Sequence, residues 1–189
     1  FCVDMLHRGY DFFQKLTDYR CMMVGKNGGG ASGALNYCLA GYPYAEYALI
    51  YTMKSATGID LTDKMDYMIG YLNYMDWVRL PGNKEYGFGD TNHYKCNLPH
   101  SYMGLHVKVL ADLFGQKHPE IIPKAARMLT QYTTRRPMDN FPFIRLLLKK
   151  DLENTEMSGQ DTSRKSIYFE TMGQVYMRSG VGDEDTYAL

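Results

Sequence analysis

The sequence predicts a mainly α-helical chain of stacked helical hairpins that passes, near its end, into the first strands of a β-domain. Three observations predict this. Six segments before Lys150 read as helices with apolar residues on one face or with clear start and stop signals. Helix and loop alternate in steps of roughly 20–30 residues, the spacing of helical hairpins. After Lys150 the chain turns polar and then breaks into short β-prone runs.

Val3 to Val24 is the first helix, with Leu6, Tyr10, Phe13 and Leu16 or Thr17 recurring at helical spacing. Gly25-Lys26-Asn27-Gly28-Gly29-Gly30 ends it and is expected to be a flexible loop. Pro43 to Ala56 is the second, with Pro43 in the first turn and Gly58 just past the end. Thr62 or Asp63 can cap a third, Met65 to Val78, which stops before Leu80-Pro81-Gly82. The stretch from Pro81 to Pro99 is irregular, and a loop of such length in a compact domain tends to be functional. Ser101 to Phe114, closed by Gly115, is the fourth helix. The fifth starts at His118-Pro119-Glu120 and runs to about Tyr132, and Phe141 to Lys150 is the sixth. Asp151 to Lys165 reads as a polar linker. Ser166 to Phe169, Gln174 to Gly180 and Asp185 to Leu189 then read as strands. Three short strands cannot close a core of their own, so a truncated second domain is expected. The implied organisation is a helical part over 1–150, a linker over 151–165 and the start of a β-domain over 166–189.

Composition sets the outer bounds. With 45% hydrophobic and 22% charged residues, the 189-residue chain is globular in type. Its formal net charge is zero, which gives no electrostatic case for nucleic acid or an anionic membrane surface. A local basic patch remains compatible with an acidic polysaccharide. No apolar run approaches the roughly 18–20 residues that cross a bilayer, and the start shows no signal peptide. The chain therefore reads as a soluble segment, trimmed at both ends. Seventeen Tyr and thirteen Met suit a core, while Tyr also stacks on sugar rings. Cys2, Cys21, Cys38 and Cys96 lack metal-type spacing and are expected as buried free thiols, a disulfide being the alternative. No P-loop, dinucleotide fingerprint or zinc-ligand spacing is present, so no cofactor or metal is expected here.

Two stretches carry a family resemblance. Phe169 to Gly180, ending Met177-Arg178-Ser179-Gly180 and followed by Asp183-Glu184-Asp185-Thr186-Tyr187-Ala188-Leu189, resembles the opening of the heparinase II/III β-domain. Gly41-Tyr42-Pro43-Tyr44-Ala45-Glu46-Tyr47-Ala48, with Thr57-Gly58-Ile59-Asp60-Leu61 downstream, is similar to that family's Glu-Gly-x-x-Tyr-x-x-Tyr helix start and its Thr-Gly-x-Asp. Pro81-Gly82-Asn83 and Phe88-Gly89-Asp90 fit in the same order, so the resemblance spans about residues 28 to 189. The Met-Arg-Ser-Gly block is the specific part. The others count through their order.

The resemblance implies an incomplete α/α toroid holding a groove, covered by a β-sandwich. The implied activity is β-elimination on uronate-containing polysaccharides at the periplasm or cell surface. A base removes the C5 proton, donors neutralise the adjacent carboxylate, and an acid protonates the leaving oxygen. By position, Tyr94 matches the family's catalytic Tyr, with His93 beside it as assistant or carboxylate ligand and Asn92 as a donor. Asp90 can hold His93 or cap a turn. Tyr44 is the expected groove residue, with Tyr42 and Tyr47 as alternatives. Ala40 stands where the family has Glu, and Tyr37 where a catalytic His can sit, with Asn36 nearby to supply an amide. The β-domain His would lie beyond Leu189, so these residues alone are expected to be inactive and to pack against the missing part of the β-domain. A non-catalytic carbohydrate-binding or scaffold protein on the same fold is the alternative. His100 and His106 are expected to be structural, and Arg135-Arg136 and Lys149-Lys150 to be solvated helix ends.

Overall fold

The computed structural model describes residues 1–30, 37, 42–80, 84–85, 101–131, 142–152, 154–182 and 184–189. They form a mainly helical structure with a small three-stranded antiparallel sheet. The helices are α1 (Cys2–Val24), α2 (Tyr42–Thr57), α3 (Gly70–Val78), α4 (Ser101–Phe114), α5 (Ile121–Gln131) and α6 (Pro142–Leu147). A 3-10 helix over Asp66–Ile69 runs into α3. Strands β1 (Arg79–Leu80) and β2 (Lys84–Glu85) make a two-residue ladder, with β2 inside the 81–99 stretch that the sequence suggested was irregular. Strands β3 (Ser166–Phe169), β4 (Gln174–Arg178) and β5 (Tyr187–Ala188) form the sheet, in that order. Helices α4 and α5, joined across 115–120, pack on one another as a hairpin.

Local chemistry explains where boundaries depart from expectation. The third helix does not start on a Thr62 or Asp63 cap. Asp60 Oδ1 instead accepts the Thr62 N–H at 2.9 Å and its hydroxyl at 2.6 Å, and the chain coils through a turn before the 3-10 helix. Burial alone would raise the Asp60 carboxyl. The Thr62 hydrogen bonds, with the Lys54 ammonium 3.1 Å away, outweigh it and hold the pKa down at about 2. Helix α6 ends short of Lys149-Lys150 because both their N–H groups donate to Asp112 Oδ1, at 2.8 and 2.7 Å. The other Asp112 oxygen takes the Tyr51 hydroxyl at 2.7 Å, so one carboxylate joins α2, α4 and the chain after α6.

Helix α1 is buried only toward its C-terminal end. Thr17 and Val24 are covered, whereas Phe1, Val3, Leu6 and Phe12 are exposed. This corrects the expectation for the thiols: Cys2 and Cys21 are free and exposed on this helix, and Cys38 and Cys96 lie outside the described residues. The glycine run that follows is pinned where it is described. Gly28, at φ +82°, and Gly70 meet backbone to backbone. A Cβ on Gly70 would lie 2.8 Å from both Gly28 Cα and Val24 Cγ1. The Asn27 amide donates to Tyr168 O at 2.9 Å and the Thr171 hydroxyl donates to Met23 O, so the sheet region holds the loop.

The sheet alternates as a half-buried sheet should. Ile167, Phe169, Gln174, Tyr176 and Arg178 face the helices, and Tyr168, Val175 and Met177 face outward. Gly173, in the left-handed region at φ +64°, closes the 3-10 turn between β3 and β4. Phe169, Tyr176 and Tyr74 of α3 meet edge to face, with centroids 5.2–6.3 Å apart. Arg178 lies 3.8 Å over the Trp77 ring, donates from Nη2 to Asp161 O at 2.7 Å, and reaches Arg164 O at 3.4 Å. The chain from 155 to 165 has no regular element, yet this guanidinium ties it down.

Two outcomes are expected. Asp60 contributes stability above the ordinary Asp range, near pH 4, and loses it as pH falls through about 2. Asp60→Asn should therefore lower the urea midpoint at pH 7, with the deficit closing between about pH 4 and pH 2. Arg178→Met keeps the stem but strands two carbonyls and the Trp77 face. It should cost about 2–3 kcal/mol by chemical denaturation.

Candidate functional site

In sequence, Asn36 precedes α2, which holds Tyr42, Tyr44 and Tyr47, and Asp90 to Tyr94 precede α4, and those two helices touch near their starts. Tyr44 and Tyr47, one turn apart on α2, present their rings to His106 in the second turn of α4. The Tyr44 and His106 rings lie 4.6 Å apart, tilted by 34°. The Tyr47 hydroxyl and His106 Nδ1 are 2.9 Å apart in a hydrogen bond. All three side chains are buried. Burial pushes the Tyr47 hydroxyl well above its usual range, with Tyr71, Tyr44 and Glu46 adding to it. The structural reading of His106 holds.

Glu46 points from α2 the other way. Its Oε1 takes Arg20 Nη1 of α1 at 2.6 Å and the Tyr67 hydroxyl at 2.7 Å. Its Oε2 is buried without a hydrogen-bond partner among the described residues. Burial accordingly raises the Glu46 carboxyl above its usual range, against the pull of Arg20 and Tyr67. Burial alone would lower the Arg20 guanidinium, and the Glu46 charge and hydrogen bond reverse that to leave it raised. A charged residue inside the apolar run Tyr44-Ala45-Glu46-Tyr47-Ala48 was the sequence signal for this pair.

A second charged centre was also missed. Asp76 of α3 is buried and takes Arg127 Nη2 of α5 at 2.9 Å, with Lys124 Nζ 3.6 Å away. Burial lowers the Lys124 ammonium, Arg127 and Arg178 lower it further, and Asp76 opposes them. Lys124 also reaches Asn73 Oδ1 at 3.3 Å. Asn73 in turn lines an open cleft of about 630 Å³, together with Cys21, Lys26, Asn27, Asp66 and Ile69. Among the described residues no three His, Cys, Asp or Glu side chains cluster to hold a metal.

Tyr94, His93, Asn92, Asp90 and Asn36 lie outside the described residues, as do Ala40, His100 and Arg135-Arg136. Tyr42 opens α2. Tyr44, expected in the groove, is 1% exposed, and its alternative Tyr47 is 0% exposed. Their rings are spent on His106 and on each other, so neither offers a face to a sugar. No family model, no curated protein and no solved structure matches the chain. Among the described residues no helix is long and apolar enough to cross a membrane.

Tyr47→Phe removes one side of the Tyr47–His106 bond inside a buried cluster. The variant should lose about 1–2 kcal/mol in urea denaturation. An unchanged midpoint would show that the bond contributes nothing to stability.

Proposed function

We propose that this chain belongs to a polysaccharide lyase that cleaves uronate-containing glycans by β-elimination. The observation that carries the reading is the contact of Tyr44 and Tyr47 with His106. Asn36 precedes α2 in sequence and residues 90–94 precede α4, the two helices joined by this contact. Such an arrangement suits a site assembled from both. In it Tyr94 is the acid, and the base where stereochemistry allows, while His93, Asn92 and Asn36 neutralise the carboxylate α to the departing C5 proton. Asp90 orients His93. The helical hairpins are part of an α/α toroid, and β3–β5 open a β-sandwich whose remaining strands cover the outward face of Tyr168, Val175 and Met177. The periplasm or cell surface is the matching location.

Arg178 of the Met-Arg-Ser-Gly run supports the same reading. Its place over Trp77 suits a motif that seats a β-domain on a helical one. Ala40 and Tyr37, standing where the family has Glu and can have His, favour the second reading, a carbohydrate-binding protein without turnover.

The test is ultraviolet absorbance of the complete protein that carries this chain, incubated with heparan sulfate, chondroitin, hyaluronan or alginate. β-Elimination leaves a double bond conjugated to the carboxylate. Absorbance should rise with one polymer, and Tyr94→Phe should abolish the rise without changing the fold. No rise with any polymer, alongside saturable glycan binding, would select the binding protein instead.

A further inference from the structure

Lys124 of α5 carries its amine into a cluster where positive charge is in excess. From α3, Asp76 Oδ2 lies 3.6 Å from Lys124 Nζ and Asn73 Oδ1 lies 3.3 Å from it. One turn further along α5, Arg127 holds the other Asp76 oxygen at 2.9 Å. From β4, Arg178 is close enough for its charge to act on Lys124 and to feel that of Asp76. Three cations thus face one buried carboxylate. Asp161, the other carboxylate that acts on Arg178, lies at the surface and already accepts the Ser163 N–H and hydroxyl.

Such surroundings favour an amine over an ammonium. Burial lowers the Lys124 pKa most, Asp76 opposes it, and Arg127 and Arg178 add to the lowering. The side chain is still 28% exposed, so a small molecule can reach it. The cluster also lacks an acceptor. Arg127 gives Nη2 to Asp76 and Nη1 to Gln131 Oε1 at 3.3 Å, while its Nε is buried with no hydrogen-bond partner among the described residues. A buried N–H left unmet is costly, and an anion arriving beside it would meet both the hydrogen-bond and the charge deficit.

We propose that Lys124 is a carbamylation site that takes up carbon dioxide. The lone pair of the neutral Nζ attacks the carbon of CO2 and forms the N–C bond. One C=O π pair moves onto oxygen, and one N–H proton passes to solvent, so no oxidant or reductant is needed. The carbamate exchanges one positive charge for one negative. Two guanidinium groups, Arg127 and Arg178, then face two anions, Asp76 and the carbamate. The N–H that remains can donate to Asp76, and the two new oxygens are acceptors of the kind a guanidinium binds best. Charge selects this reagent over an acyl donor: an acetyl group would remove the positive charge of Lys124 and supply no anion in its place.

Chemical trapping tests it. The complete protein that carries this chain is equilibrated with CO2 and bicarbonate at mildly alkaline pH, then treated with a trialkyloxonium salt, which turns a carbamate into a stable ester. Peptide mass mapping reads the ester at each lysine in one sample. It should sit on Lys124, vanish when CO2 is purged before trapping, and be absent from Lys124→Arg, which keeps the charge and cannot form the adduct. Lys54, whose side chain is 59% exposed and paired with Asp60, is the internal comparison and should carry several-fold less. No ester on Lys124, or as much on Lys54, would overturn the proposal. The outcome is independent of the lyase reading, since neither the reagent nor the readout involves a glycan.

Discussion

A guanidinium taken out of water has to find acceptors for its N–H groups and a partner for its charge, or the fold that buries it is not stable. Arg178 is buried at the junction of helices and sheet, and the local structure follows from how it meets that demand. Its ring partner, Trp77, fixes the distance between β4 and α3. Its acceptors are the backbone carbonyls of Asp161 and Arg164, so the otherwise irregular chain before β3 has to wrap past it. The opposite charge that acts on it most strongly is Asp76, which also takes Arg127 and Lys124 from α5. One buried carboxylate thus serves three cations from two different elements. Removing any one of them would leave charge or carbonyl oxygens stranded, so the four groups behave as a unit.

The second constraint is steric and lies at the start of α3. Gly70 at its first position touches Gly28, and no side chain fits between them. The contact brings the end of α1 down on the 3-10 helix, where Arg20 can reach Glu46. It also explains why α3 begins where it does. The chain is held at Gly70 by this backbone contact, and the preceding turn winds tightly over Asp66–Ile69. The same closeness leaves the cleft open, because glycines supply no side chains to fill it.

Much of the element pattern was legible in the sequence, and the reasons are local. Ser101 to Phe114 is bounded as expected: past it the chain turns, and the Lys117 and His118 N–H groups both donate to Phe114 O. Strands β3 and β4 follow from strict alternation. What could not be read depends on partners far away in sequence. Asp60 displaced Thr62 and Asp63 at the turn because Lys54 and Lys117 lie near it in space. Asp112 ended α6 from 37 residues away. Leu6 and Tyr10 have helical spacing but remain exposed, because spacing defines a face and says nothing about what covers it. Of the candidate site, the approach of α2 to α4 had no local signature, since neither Tyr47 nor His106 announces its partner.

The abundance of tyrosine is the feature whose meaning the structure changes most. In sequence it suited equally a core and a surface for stacking sugars. The described residues place Tyr44, Tyr47, Tyr71, Tyr74 and Tyr176 at 2% exposure or less, where no sugar can reach them. Phenylalanine would supply the same apolar area, so the hydroxyl needs its own explanation. Tyr47 bonds His106 across α2 and α4, Tyr51 bonds Asp112 across the same pair, and Tyr67 bonds Glu46 from the 3-10 helix to α2. Each is a polar tip on a ring, reaching a titratable group on a different element. A buried hydrophobic contact leaves neighbouring helices free to slide by a fraction of a turn, whereas a hydrogen bond about 2.7–2.9 Å long does not. Tyrosine here sets the register between helices. Composition alone is therefore no argument for glycan binding by this chain.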